Sequence, residues 1–237
     1  MNLANAPAAD RGSLVQHAIS AIRRYIQDNA MRVGDSLPGE GYFADKLSVS
    51  RAVIREAFGA LAALSVLDVA NGRRARVGAM DGSVFGSSLN HGVATSQITV
   101  ADVWDVRQTV ELRTAELAAL KRTDAQAASI MEHARAMRDS AHDFDVMTQY
   151  DIAFHEAIAE ATGNAFFSQM VNSFAPLMEV AVPRAWKTRT TPAQKDIMIF
   201  RHLALAEAIM NGDAEAAVAA MKAHFDTSVG DILRSET

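Results

Sequence analysis

A chain of 237 residues, 49% hydrophobic and 22% charged, is long enough to bury one large core or two modest ones. The absence of cysteine excludes a disulfide framework and any thiolate metal site, so a metal would have to be held by histidines and carboxylates. The net charge of -5 argues against a general nucleic-acid coat.

That charge is segregated. Residues 1–78 hold ten Lys/Arg against seven Asp/Glu, and residues 79–237 hold thirteen against twenty-one, which points to two modules with different partners. The opening MNLANAPAADRGS lacks a basic start followed by an apolar run, and no stretch approaches the ~18 apolar residues of a membrane span. A soluble, cytoplasmic protein with no membrane partner is expected.

In the first module, Val15, Ile19, Ile22 and Ile26 recur at helical spacing, with Ser13 placed to cap that helix. After the turn RVGDSLP come the short GEGYFADKL and then RAVIREAFGALAAL, whose apolar face is Val53, Ile54, Ala57, Phe58, Leu61 and Leu64 and whose cap is Ser50. SVLDVA and RARVGA flank Asn71-Gly72, a pair that favours a type I′ hairpin turn. Helix, helix, turn, helix, hairpin is the order of a winged helix-turn-helix. Arg51 and Arg55 lie on the outer side of the third helix, where guanidinium groups can reach phosphates or base edges in a major groove. Alone they would read as a solvated basic face. Arg73, Arg74 and Arg76 around the hairpin tip add a wing suited to phosphate or minor-groove contact, and the combination favours double-stranded DNA.

Residues 79–99, rich in Gly, Ser and Thr, read as a linker, with His91 on its surface. Beyond them the pattern is helical throughout, over roughly 100–122, 124–142, 144–162, 165–188, 192–211 and 213–234, predicting an all-α bundle. Gly163 and Gly212 mark helix ends, and Asp213 is placed to cap the last helix. Asp151 and His155, four apart, share one helix face; His202 sits among Ile199, Leu205, Ala206 and Ile209, and His224 beside Ala217, Ala220 and Met221. Single buried histidines are usually core residues. Three with an aspartate, all on inward faces of one bundle, suit Zn²⁺, with Ni²⁺ or Mn²⁺ as alternatives. His133 and His142 lack such a setting and are expected at the surface.

The stretch SLPGEGYFADKLSVSRAVIREAFGALAAL...NGRRARVG resembles the DNA-binding domain of GntR-family transcriptional regulators, whose pattern is roughly LP-x-E-x-x-L-A-x-x-x-x-V-S-R-x-x-V-R-x-A-L-x-x-L. The resemblance implies operator contact by Ser50, Arg51, Arg55, Gly72 and Arg73. Gly41 stands where the family usually has a basic residue, so one contact at the start of the second helix is expected to be missing. D-x-x-x-H at 151–155, followed by His202 and His224, is similar to the FCD effector domain of the FadR subfamily, and implies Asp151, His155, His202 and His224 as metal ligands. Arg201 replaces the acidic residue that commonly precedes the third ligand, which changes the local charge. The same resemblance places Arg107 and Glu111 at the effector pocket, although an ordinary surface i,i+4 pair explains them equally well. Trp186 is similar to a tryptophan of sugar-acid-responsive members, and core packing explains it equally well.

The expected architecture is therefore mainly α: a winged helix-turn-helix with a small β-hairpin wing over residues 1–78, a linker over 79–99, and an FCD-like bundle over 100–237 that binds effector and dimerises. The expected function is a DNA-binding transcriptional regulator, a repressor and homodimer, not an enzyme, whose operator binding responds to a small carboxylate or sugar acid. Two alternatives compete: a metal-dependent hydrolase, for which no general base is evident beside the metal, and a dimeric adaptor stabilised by a structural metal.

Overall fold

The computed structural model describes the backbone of residues 8–235 and the side chains of residues 12–226. It separates into two compact units, Met1–Val84 and Phe85–Thr237, each with its own hydrophobic core.

The first unit opens with α1 (Ala8–Asp28), which buries Val15, Ala18 and Ile22. Because α1 starts ahead of Ser13, that serine lies inside the helix and is not its cap. α2 (Glu40–Leu47) ends at Ser48, whose φ of +55° turns the chain into α3 (Arg51–Ala63). Ser50 caps α3 as expected, its hydroxyl accepting from Val53 N at 3.3 Å. The buried face of α3 is Val53, Ile54, Ala57, Phe58 and Leu61, so Arg51 and Arg55 are left outside.

β1 (Leu67–Asp68) and β2 (Arg76–Val77) pair antiparallel, and the segment before α2 adds to the far edge of β2 through Leu37 N to Ala75 O (2.8 Å) and Val77 N to Asp35 O (2.9 Å). The hairpin is present, but its turn is not type I′. Residues 69–75 separate the strands, and Gly72 alone of the Asn71-Gly72 pair takes a positive φ, +78°. A two-residue I′ turn needs positive φ at both central positions.

The second unit is helical: α4 (Gly82–Ala94), α5 (Val100–Lys121), α6 (Asp124–Asp139), α7 (Phe144–Ala161), α8 (Ala165–Asn172), α9 (Ala175–Thr188), α10 (Pro192–Asn211) and α11 (Ala214–Ser235). Two expectations are corrected. The stretch read as a linker contains α4, whose Leu89 and Val93 pack against the second core. The helix expected over 165–188 is broken at Ser173–Phe174, because Pro176, in the first turn of α9, has no N–H to give and its ring would clash with the preceding turn. The remaining boundaries agree to within a few residues, and Gly212 (φ +72°) and Asp213, which accepts from Ala216 N at 2.9 Å, end one helix and start the next.

α5, α7, α10 and α11 wrap a core containing Ala115, Ala118, Phe154, Ile158, Leu205, Ile209, Met221 and Phe225. Arg122 closes the C-terminus of α10, donating to the carbonyls of Ile209 and Met210. His142 is exposed as expected. His133 is half-buried instead, its ring tilted against Tyr150 at 6.3 Å between centroids.

Candidate functional site

In the first unit, α3 and the hairpin enclose a groove lined by Arg51, Arg55, Gly72, Arg73 and Arg74 together with Gly41 of α2. Arg51 is exposed at the first turn of α3, its guanidinium beside the Gly41 backbone; a Cβ there would lie 3.2 Å from Arg51 Nη2. Arg55 donates from Nε and Nη2 to the Glu40 carboxylate at 3.3 and 3.1 Å, which aims the guanidinium along the groove. Arg73 is gripped through Nη2 by both oxygens of Asp68 at 2.7 Å. Four of the five residues expected at the operator, Arg51, Arg55, Gly72 and Arg73, line this groove, and Ser50 instead caps α3 through its hydroxyl. Glu40 and Asp68, which orient two of the arginines, were not singled out in the sequence. Their signal is visible only in hindsight, since neither spacing falls on one helix.

In the second unit, three of the four expected ligands, His155, His202 and His224, converge inside the bundle, and Asp151 joins them through its contact with His202. Asp151 and His155 come from α7, His202 from α10 and His224 from α11, and all four are buried. The ring centroids of His202 and His224 are 4.5 Å apart, those of His155 and His224 5.1 Å. One nitrogen from each histidine lies within 4.8 Å of the others. Two nitrogens bound tetrahedrally to one Zn²⁺ at ~2.1 Å stand about 3.4 Å apart, so binding would draw the histidines together by up to about 1.4 Å.

The tautomers favour a cation. His202 Nδ1 donates to Met198 O at 2.9 Å, which leaves the Nε2 lone pair facing Asp151 Oδ1 at 3.1 Å. Two lone pairs at that distance repel unless a proton or a metal ion lies between them. His155 turns Nδ1 to Glu111 Oε2, while its buried Nε2 has no hydrogen-bond partner among the described residues. An acceptor behind the rings of His202 and His155 fixes which nitrogen of each faces the centre, the arrangement that supports metal-bound imidazoles. Burial, reinforced by the charges of His202 and His155, holds His224 well below the ordinary histidine pKa, so its lone pair is available at neutral pH. Burial alone would raise the Asp151 pKa, but a proton or cation shared with His202 Nε2 and the positive charge of the surroundings, Arg107 included, overcome it and lower the pKa. The donor set, three imidazoles and one carboxylate, fits a divalent ion of the zinc type.

Arg107 and Glu111 do form an i,i+4 pair, but a buried one, with 3% and 1% of the side chains exposed. Glu111 bridges Arg107 on its own helix to His155 on α7; burial pushes its pKa up, but the Arg107 charge and the contact with His155 overcome this and lower it. Arg107 also stacks over Trp104, 4.9 Å from the ring centroid. Beside the cluster is a cavity of about 30 Å³ whose walls include Trp104, Arg107, Asp151, Trp186, Arg189 and His202. A water needs roughly 10–15 Å³ measured this way, so the cavity holds about two.

Residues 14–77 match the family model described as bacterial regulatory proteins, gntR family, and residues 102–227 match that of the FCD domain. The chain belongs to the GntR family of bacterial regulators. The Glc operon transcriptional activator of Escherichia coli (strain K12) is 30% identical over 71% of this chain and 68% of its own. The HTH-type transcriptional regulator LutR of Bacillus subtilis (strain 168) is 27% identical over 88% and 95%, and the HTH-type transcriptional repressor NanR of Citrobacter rodentium (strain ICC168) 25% identical over 95% and 87%. Among solved structures, Streptococcus agalactiae GntR has a TM-score of 0.64 at 23% identity over 90% and 97% of the two chains, a likeness of fold.

The relatives of this GntR protein are transcriptional regulators, and regulation of transcription rather than catalysis is its function. No helix among the described residues is long and apolar enough to cross a membrane. Trp186 is buried on the cavity wall, with no hydrogen-bond partner on Nε1 among the described residues. Trp104 and Arg189 were missed in the sequence. Trp104 lies one turn before Arg107 and could have been found from that spacing, whereas Arg189 lies in the α9–α10 connection, where periodicity carries no signal.

Proposed function

We propose that this GntR regulator is a metal-dependent acid sensor: a cytoplasmic homodimer that binds operator DNA through α3 and the wing, and represses until a small organic acid enters the cavity beside a divalent ion held by Asp151, His155, His202 and His224. The observation that supports the reading is the buried cluster of one nitrogen from each of His155, His202 and His224, with His202 Nε2 facing the Asp151 carboxylate. The ion supplies charge and open coordination positions for a ligand oxygen. Arg107, fixed by Glu111, offers a charge-assisted pair to the rest of a carboxylate, and Trp186 is among the residues that line the same cavity. The cavity as it stands holds about two waters, so entry of an acid of any length requires its lining to move.

Elemental analysis tests the metal directly. The purified protein should carry about one divalent ion per subunit, and chelation should lower its melting temperature because the ion binds the folded chain. Full occupancy in a His155→Ala/His224→Ala double variant would place the ion elsewhere.

A further inference from the structure

The wing carries one acid among three arginines. Over residues 66–78, Asp68 is the sole carboxylate beside Arg73, Arg74 and Arg76. In the hairpin register Asp68 stands opposite Arg76, yet both of its oxygens meet Arg73 Nη2, at 2.7 Å each, so that the loop 69–75 folds this arginine back on the end of β1. Gripped at one nitrogen, the guanidinium keeps Nε and Nη1, neither of which is hydrogen-bonded among the described residues, for a ligand in the groove that Arg73 lines. We infer that Asp68 is a specificity-determining residue of the operator site: it fixes where the Arg73 guanidinium can meet DNA, so that the contact forms on the operator and is withheld from duplexes of other sequence. The inference rests on the operator reading of α3 and the wing.

Both side chains of the pair are exposed, so it adds little to stability and shifts an equilibrium by no more than about fivefold. Its effect is on where the charge can go. An unpaired arginine on a flexible side chain reaches any phosphate within its length, and phosphates are the same on every sequence, so it raises affinity for all duplexes alike. A held arginine reaches an acceptor at one place only. On the operator, base contacts from α3 set the register and an acceptor occupies that place. On other duplexes the register is not set, and Arg73 can take a phosphate only by giving up Asp68. The Asp68 charge also repels phosphates, but equally on every sequence, so that effect cancels in the ratio of the two affinities.

Fluorescence-anisotropy titration of the full chain over a series of salt concentrations reads that ratio, with a duplex selected by the wild-type protein from a random-sequence pool and a scrambled duplex of the same length. Asp68→Asn should raise affinity for the scrambled duplex about three- to fivefold and steepen its salt slope by about 0.9, the equivalent of one further phosphate contact. The operator-to-scrambled ratio should fall at least about threefold. An unchanged ratio, or no gain on the scrambled duplex, would overturn the assignment. In an Arg73→Ala background the same substitution should leave the ratio as it is, because loss of a negative charge by itself favours both duplexes alike. A ratio that falls there too shows that Asp68 acts without Arg73, and overturns the assignment as well. Arg73→Ala alone separates the inference from the reading beneath it. Weakened operator binding, the expected result, keeps the wing at the DNA whatever Asp68 does, whereas wild-type affinity for both duplexes removes the wing from the interface and this inference with it.

Discussion

Arg55 and Arg107 each meet one glutamate, yet the two pairs do different work. The Arg55 side chain is 73% exposed, and its pair with Glu40, screened by water and salt, contributes little to stability. The pair holds the guanidinium in the groove, and in the proposed operator complex a phosphate or a guanine edge takes over the free donors. Arg55→Ala and Arg51→Ala should each weaken specific operator binding by ~1–3 kcal/mol, with little change in thermal stability. Gel-shift titration on a selected duplex reads this, and wild-type affinity in both variants would remove α3 from the interface. Arg107 is buried, and taking away its partner would leave an uncompensated charge, at a cost of ~3–5 kcal/mol. The sequence showed both arginines and their i,i+4 or family spacing. It did not show that Glu111 reaches across to His155, since that contact joins two helices.

At the level of elements, α4 shows where composition misleads. Its glycines and serines lower helix propensity, and the stretch reads as a linker. In the structure Gly86 instead permits close packing: a Cβ there would stand 2.7 Å from the Ser173 carbonyl oxygen. Gly59 on α3 has nothing within 4 Å of such a Cβ. The same substitution should therefore have opposite signs. Gly59→Ala should stabilise by ~0.5–1 kcal/mol through helix propensity, and Gly86→Ala should destabilise by ~1–3 kcal/mol through overpacking. Urea unfolding followed by circular dichroism measures both, and a stabilising Gly86→Ala would show that α4 is not held against the residue 173 turn. Long periodic helices such as α5, α7 and α10 were legible because apolar spacing survives any tertiary context. The break between α8 and α9 carried one signal, Pro176, outweighed by the apolar residues on either side.

For the whole molecule, the segregation of charge matches a division of labour. The basic module presents the groove of α3 and the wing, and the acidic module holds the histidine cluster and the cavity. In a ligand-responsive regulator these sites are linked, and linkage is reciprocal: the factor by which the acid changes operator affinity is the factor by which operator changes acid affinity. Arg107→Ala should keep operator binding and lose the acid, and Arg55→Ala the reverse. The decisive measurement is calorimetry of the metal-loaded protein with the acid that most raises its melting temperature, run with and without a duplex selected from a random-sequence pool. A coupled sensor gives acid affinities that differ by roughly 5- to 150-fold between the two titrations; identical affinities would contradict it.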